Sequence, residues 1–120
     1  MEIVNRNDVE AFITKDGSEI REILAPRNSS LRNQSLAEAR VSPGMNTIRH
    51  HHIESEEIYY ILQGTAKIRV EGEEREVAEG DGIAIMPGQS HEIWNTGFKE
   101  LVFLCCCSPS YADEDTVLAK

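Results

Sequence analysis

From Gly44 to Cys107 the chain keeps one rhythm: short apolar runs, none longer than a strand, separated by turns that carry glycine. Gln63-Gly64, Glu71-Gly72-Glu73-Glu74, Gly80-Asp81-Gly82 and Pro87-Gly88-Gln89-Ser90 mark successive reversals. Between them, Ala66-Lys67-Ile68-Arg69-Val70 alternates apolar and basic residues, the pattern of a strand with one wet face. Upstream, Phe12-Ile13-Thr14 enters an Asp16-Gly17 turn, Glu19–Leu24 follows, and Leu36–Val41 is stopped by Ser42-Pro43-Gly44. The last run, Glu100–Cys107, ends at Ser108-Pro109. Residues 1–11 carry little pattern. Closely spaced short strands with no sustained helical period predict an all-β sandwich or barrel. No linker, repeat or low-complexity segment divides the chain, so residues 1–120 read as a single domain.

Within this frame the chemistry concentrates at His50-His51-His52. In a strand, residues two apart share a face, so His50 and His52 converge while His51 points away. The polar stretch Ile53-Glu54-Ser55-Glu56 predicts a turn, and a hairpin there would bring Glu57 across from the histidines. Imidazoles beside a carboxylate are a common set for a divalent transition metal. Three successive histidines could instead be solvated surface, but the stretch by itself favours metal binding, and the remaining sequence strengthens that reading.

Composition removes several classes of function. A net charge of −9 opposes nucleic-acid binding, which depends on Lys and Arg neutralising phosphates. The acid runs Glu71-Gly72-Glu73-Glu74 and Asp113-Glu114-Asp115 read as a solvated turn and tail. No apolar stretch approaches the roughly 18 residues of a membrane-spanning helix. The first residues lack the basic head and apolar run of a signal peptide, which places the protein in the cytoplasm by default. Cys105, Cys106 and Cys107 are consecutive, so neighbours face opposite ways and no easy disulfide links them. Free thiols suit a reducing compartment, and they read here as small hydrophobes.

Two spaced motifs then carry a resemblance. Gly44, His50-x-His52, Glu57 and Gly64 fill every fixed position of the first motif of the cupin superfamily, at residues 44–64. Gly80, Pro87-Gly88, His91 and Asn95 fit the second motif, at residues 80–95, with Met86 in place of a proline. The chain therefore resembles a small single-domain cupin. The resemblance implies a double-stranded β-helix, or jelly-roll barrel, with His50, His52, Glu57 and His91 as ligands to one divalent transition metal per chain. Imidazole suits Fe, Mn, Ni, Cu and Zn alike, so the ligand set does not name the ion. Four protein ligands would leave up to two positions on an octahedral ion for substrate, O2 or water.

Other residues are secondary. Tyr59 shares the face of Glu57 and is a candidate catalytic hydrogen-bonding group, although a buried tyrosine is more often a core residue. Trp94 has the parity opposite to His91 and is expected outside the barrel. Glu57–Leu62 is apolar or aromatic on both faces, and a homodimer would cover the outer one. Two functions follow from the resemblance. One is a metal-dependent enzyme acting on a small organic molecule by oxygenase, isomerase or epimerase, or lyase chemistry. The other is a non-catalytic, metal-dependent binder of a small ligand, or a metal that merely stabilises the barrel.

Overall fold

The computed structural model describes residues 1–119 as two antiparallel sheets packed face to face. The strands are β1 (Phe12–Ile13), β2 (Glu19–Leu24), β3 (Ser35–Val41), β4 (His50–His52), β5 (Glu56–Gln63) and β6 (Thr65–Val70). They continue with β7 (Glu73–Ala78), β8 (Gly82–Ile85), β9 (His91–Asn95), β10 (Leu101–Ser108) and β11 (Thr116–Leu118). One sheet runs β1-β2-β3-β10-β5-β8 and the other β11-β4-β9-β6-β7. Short 3-10 turns occur at Arg6–Asp8 and Asp113–Asp115. This is the expected all-β jelly-roll barrel.

Alternation decides what faces inward. In β5, Glu57, Tyr59 and Ile61 are buried while Ile58, Tyr60 and Leu62 are exposed. In β9, His91, Ile93 and Asn95 are buried, and Trp94 lies outside with the Lys67 ammonium 4.5 Å from its ring centre. The run Leu101-Val102-Phe103 is buried without alternation because the pairing of β10 with β5 slips between Val102 and Phe103. The core joins the inner faces of both sheets: Ile61, Phe103 and Leu101 from one, Ile68 and Ile93 from the other. Each such burial contributes roughly 1.5–3 kcal/mol.

The motif residues outside the histidine cluster are structural. Gly64 has φ +96° in the tight β5–β6 reversal, a conformation that strains any residue with a Cβ, although a Cβ there would only touch the Leu101 backbone at 3.4 Å. Asn95 donates from Nδ2 to the Val41 and Lys99 carbonyls and accepts from the Gly97 amide, closing the loop into β10. The Pro87-Gly88 turn forms with Met86 before it, since Gln89 N–H bonds to Met86 O and Gly88 N–H bonds to His52 O.

Two expectations need correction. β4 and β5 do not form a hairpin: β4 pairs with β9 and β11 in one sheet, while β5 pairs with β10 and β8 in the other. The chain crosses between sheets at residues 53–55, so Glu57 meets the histidines across the barrel interior. The acid run 113–115 is also more than a solvated tail. The Asp115 carboxylate accepts from the Glu54 and Ser55 amides, which pins that crossing and leads into β11.

Candidate metal centre

Strand parity delivers the first two side chains: His50 and His52 are buried on the inner face of β4, with His51 between them turned outward. His91 opens β9 directly opposite His50 in register. One ligand nitrogen from each of the three imidazoles lies within 4.8 Å of the other two. Glu57 comes from the opposite sheet and brings Oε1 to 3.2 Å from His52 Nε2 and 3.4 Å from His91 Nε2. All four predicted ligand residues therefore meet at one buried place.

The outer hydrogen bonds settle the tautomers. His50 Nδ1 lies 2.8 Å from the Ile48 carbonyl and His91 Nδ1 lies 2.9 Å from the Gln89 carbonyl. A carbonyl only accepts, so both Nδ1 atoms carry protons. His52 Nδ1 lies 3.2 Å from Thr116 Oγ1, whose own hydrogen is donated to the Ala112 carbonyl at 3.0 Å. Thr116 thus accepts from His52 as well. In the neutral imidazoles all three Nε2 atoms then present bare lone pairs to the same space as the Glu57 carboxylate. Glu57 Oε1 and His91 Nε2 are fully buried and lack any hydrogen-bond partner among the described residues. Acceptors gathered without a donor require a cation, either a proton or a metal ion.

The charges respond accordingly. Burial alone would raise the Glu57 carboxyl, but His52 and His91 beside it draw it down to about 2. Burial opposes protonation of His52, yet the Glu57 carboxylate overcomes this and raises its pKa. His50 moves the other way, lowered by burial and by His91. A proton on His52 and a metal ion compete for one lone pair. The residues present fit a divalent transition metal: three imidazole nitrogens, one carboxylate and second partners that fix each ring.

Tyr59 sits beneath the cluster, its ring centre 5.8 Å from that of His91 and 4.7 Å from that of Phe103. Burial, then the Glu57 charge, keeps its phenol protonated. Three further residues reach the site that the sequence did not single out. Thr116 orients His52, and Asp16 places Oδ2 at 3.6 Å from His50 Nε2. Cys107 corrects the reading of the cysteines as plain hydrophobes, because its thiol donates to Glu57 Oε2 at 3.1 Å. Burial pushes up the Cys105 and Cys107 thiols, with Glu57 adding to the effect, so neither is a ready thiolate. The only available signal for Cys107 was parity, since in β10 it shares the face of Cys105 and Phe103.

A pocket beside the histidines is walled by Ile20, Glu22, Ala37, Cys105 and Tyr111, among others. Tyr111 belongs to the C-terminal segment, which lies against the cluster with its ring nearly perpendicular to that of His52, centres 6.1 Å apart.

The sequence signature of the cupin domain matches residues 37–107, more than half of the chain. An uncharacterized protein of Methanocaldococcus jannaschii is 48% identical over 112 residues, 93% of this chain and 90% of that one. Among solved structures, the polyketide cyclase RemF of Streptomyces resistomycificus superposes with a TM-score of 0.79 at 26% identity, covering 96% of this chain and 89% of its own. A predicted oxalate decarboxylase of Thermotoga maritima gives 0.78 at 26% identity, covering 90% and 99%.

Proposed function

The chain belongs to the cupin family, and on that premise we propose that it is a metal-dependent enzyme acting on a small organic molecule. His50, His52, His91 and Glu57 would hold one divalent transition metal, drawn from Fe, Mn, Ni, Cu or Zn. The observation that carries this reading is the pair of buried, partnerless acceptors, Glu57 Oε1 and His91 Nε2, in a cluster whose Nδ1 protons all point outward. A bound divalent ion supplies Lewis acidity, polarising a substrate oxygen or lowering the pKa of a water. The chain's own groups do the rest. Glu57 serves as a ligand and is spent as a base, while Tyr59 keeps its proton as a candidate hydrogen-bond donor. Ile20 and Ala37 give the small pocket beside the cluster an apolar wall. Similarity to proteins named as a polyketide cyclase and a predicted oxalate decarboxylase supports an organic substrate; the reaction is of oxygenase, isomerase or epimerase, or lyase type, and the decarboxylase name favours the last.

The binding-only alternative draws on one match: the chain is 36% identical over 69 residues to an oxalate-binding protein of Thermotoga maritima, 58% of this chain and 57% of that one. We further place the protein in the cytoplasm as a homodimer, its three free thiols and the apolar outer face of β5 supporting each. No helix among the described residues is long and apolar enough to cross a membrane.

Metal analysis of purified protein tests the centre. About one equivalent per chain is expected, lost in His52→Ala and kept in His51→Ala. Equal retention, or equal loss, in both variants would refute the assignment.

A further inference from the structure

Asp16 begins as an ordinary turn residue. Its Oδ1 accepts from Ser18 N–H at 2.9 Å, Ser18 Oγ at 2.6 Å and Thr14 Oγ1 at 2.6 Å. Gly17, at φ +90°, lets the turn close, and its amide bonds to the Thr14 carbonyl. All three side-chain contacts fall on one oxygen. The other, Oδ2, faces the barrel interior 3.6 Å from His50 Nε2. The turn is also tied by its backbone to the segment that delivers His50, through Ile48 N–H to Asp16 O at 2.7 Å. The side chain is only 13% exposed.

We propose that Asp16 is a second carboxylate of the metal site, facing the ion from the His50 side as Glu57 does from the side of His52 and His91. The inference rests on the metal-binding reading above. The partnerless Glu57 Oε1 and His91 Nε2 show that the cluster calls for a cation, and Asp16 extends the set of groups around it. The consequence is a class of ligand. Two carboxylates balance the charge of a divalent ion, so the position left open on it favours a neutral oxygen donor, such as water or a hydroxyl, over an anion. The pocket beside the site agrees: Glu22 and Glu57 are the carboxylates that line it, and among the described residues no lysine or arginine does. Arg27, which bonds to Glu22, is engaged there and also stacks over Phe12. A hydroxylated, uncharged substrate fits this field better than a dicarboxylate.

The test titrates metal-free protein with Co2+ at fixed pH, follows the visible d–d absorption, and then adds azide. Asp16→Asn keeps an oxygen for the Ser18 contacts and removes the charge. It should bind Co2+ roughly 10- to 100-fold more weakly, with an altered spectrum, and take up azide more tightly. Ser18→Ala loosens the turn but leaves the carboxylate, and it should stay within about twofold of wild type. Unchanged Co2+ affinity and spectrum in Asp16→Asn would overturn the proposal. So would a loss in Ser18→Ala equal to that in Asp16→Asn, since Asp16 would then act only through the turn. Weaker Co2+ binding without an azide gain would overturn the ligand class. If wild type took up Co2+ no better than His52→Ala, the metal-binding reading itself would fall and this proposal with it.

Discussion

Thr116→Val isolates how the fold prepares a histidine for metal. The substitution is close to isosteric, and residue 116 is 95% buried, so packing changes little. Two hydrogen bonds vanish: His52 Nδ1–H to Thr116 Oγ1 at 3.2 Å, and Thr116 Oγ1–H to the Ala112 carbonyl at 3.0 Å. Each contributes about 1 kcal/mol net, and a buried donor left unpaired costs about 1–3 kcal/mol. The metal-free protein should therefore lose about 2 kcal/mol. For a chain of this size that corresponds to a fall of roughly 6–10 °C in Tm. A second effect is specific to the ion. His52 no longer has an anchored Nδ1 proton, and losing such an outer partner weakens metal binding by about 10- to 100-fold. At saturating metal this removes about 1.4–2.7 kcal/mol of ligand-linked stabilisation. Thermal unfolding with chelator and with a fixed excess of Zn2+, in wild type and variant, reads both terms. The metal-induced rise in Tm should be smaller in the variant than in wild type. An equal rise in the two proteins would show that Thr116 braces only the fold. No change under either condition would refute the hydrogen-bond reasoning.

Metal affinity should fall with decreasing pH, because protons compete for the Nε2 lone pairs. Since the His52 pKa is raised, the competition begins at higher pH than for a free imidazole, and calorimetric titrations across pH 5–8 should show it; a flat profile would refute imidazole coordination. Glu38 is held by Arg6 and Arg40, which together overcome the burial that would raise its carboxyl and leave its pKa lowered. Its contribution to stability is present above the unfolded carboxyl pKa and is lost as pH falls through the folded one, so Glu38→Gln should flatten the acid limb of a Tm–pH curve. Tyr60→Glu should convert a dimer to a monomer by light scattering, since Tyr60 stands 44% exposed between Ile58 and Leu62; a wild-type monomer at micromolar concentration would refute the dimer. Cys107→Ser keeps a donor for Glu57 Oε2 and should retain the metal, whereas Cys107→Val should weaken it about tenfold; equal affinities would show the thiol contact to be incidental.

Local pattern was enough to determine much of this protein. Period-two alternation and glycine turns foretold the strands, and parity alone separated His50 and His52 from His51, and His91 from Trp94. Those are short-range facts, set by the pleat of one strand and the chemistry of one turn. The motif spacing identified Glu57 as their companion but not the route by which it arrives. That route runs through the other sheet, because which strands pair is decided by packing two apolar faces together and not by a turn of residues 53–55. The same holds for the residues the sequence passed over. Thr116 meets His52 across 64 positions and Cys107 meets Glu57 across 50, and Asp16 looked like half of a turn signal until its second oxygen was seen to face the barrel. Nothing in the residues around Thr116 or Asp16 marks them, and parity gave Cys107 a face but no partner, since their roles come from what closure of the barrel sets opposite each one.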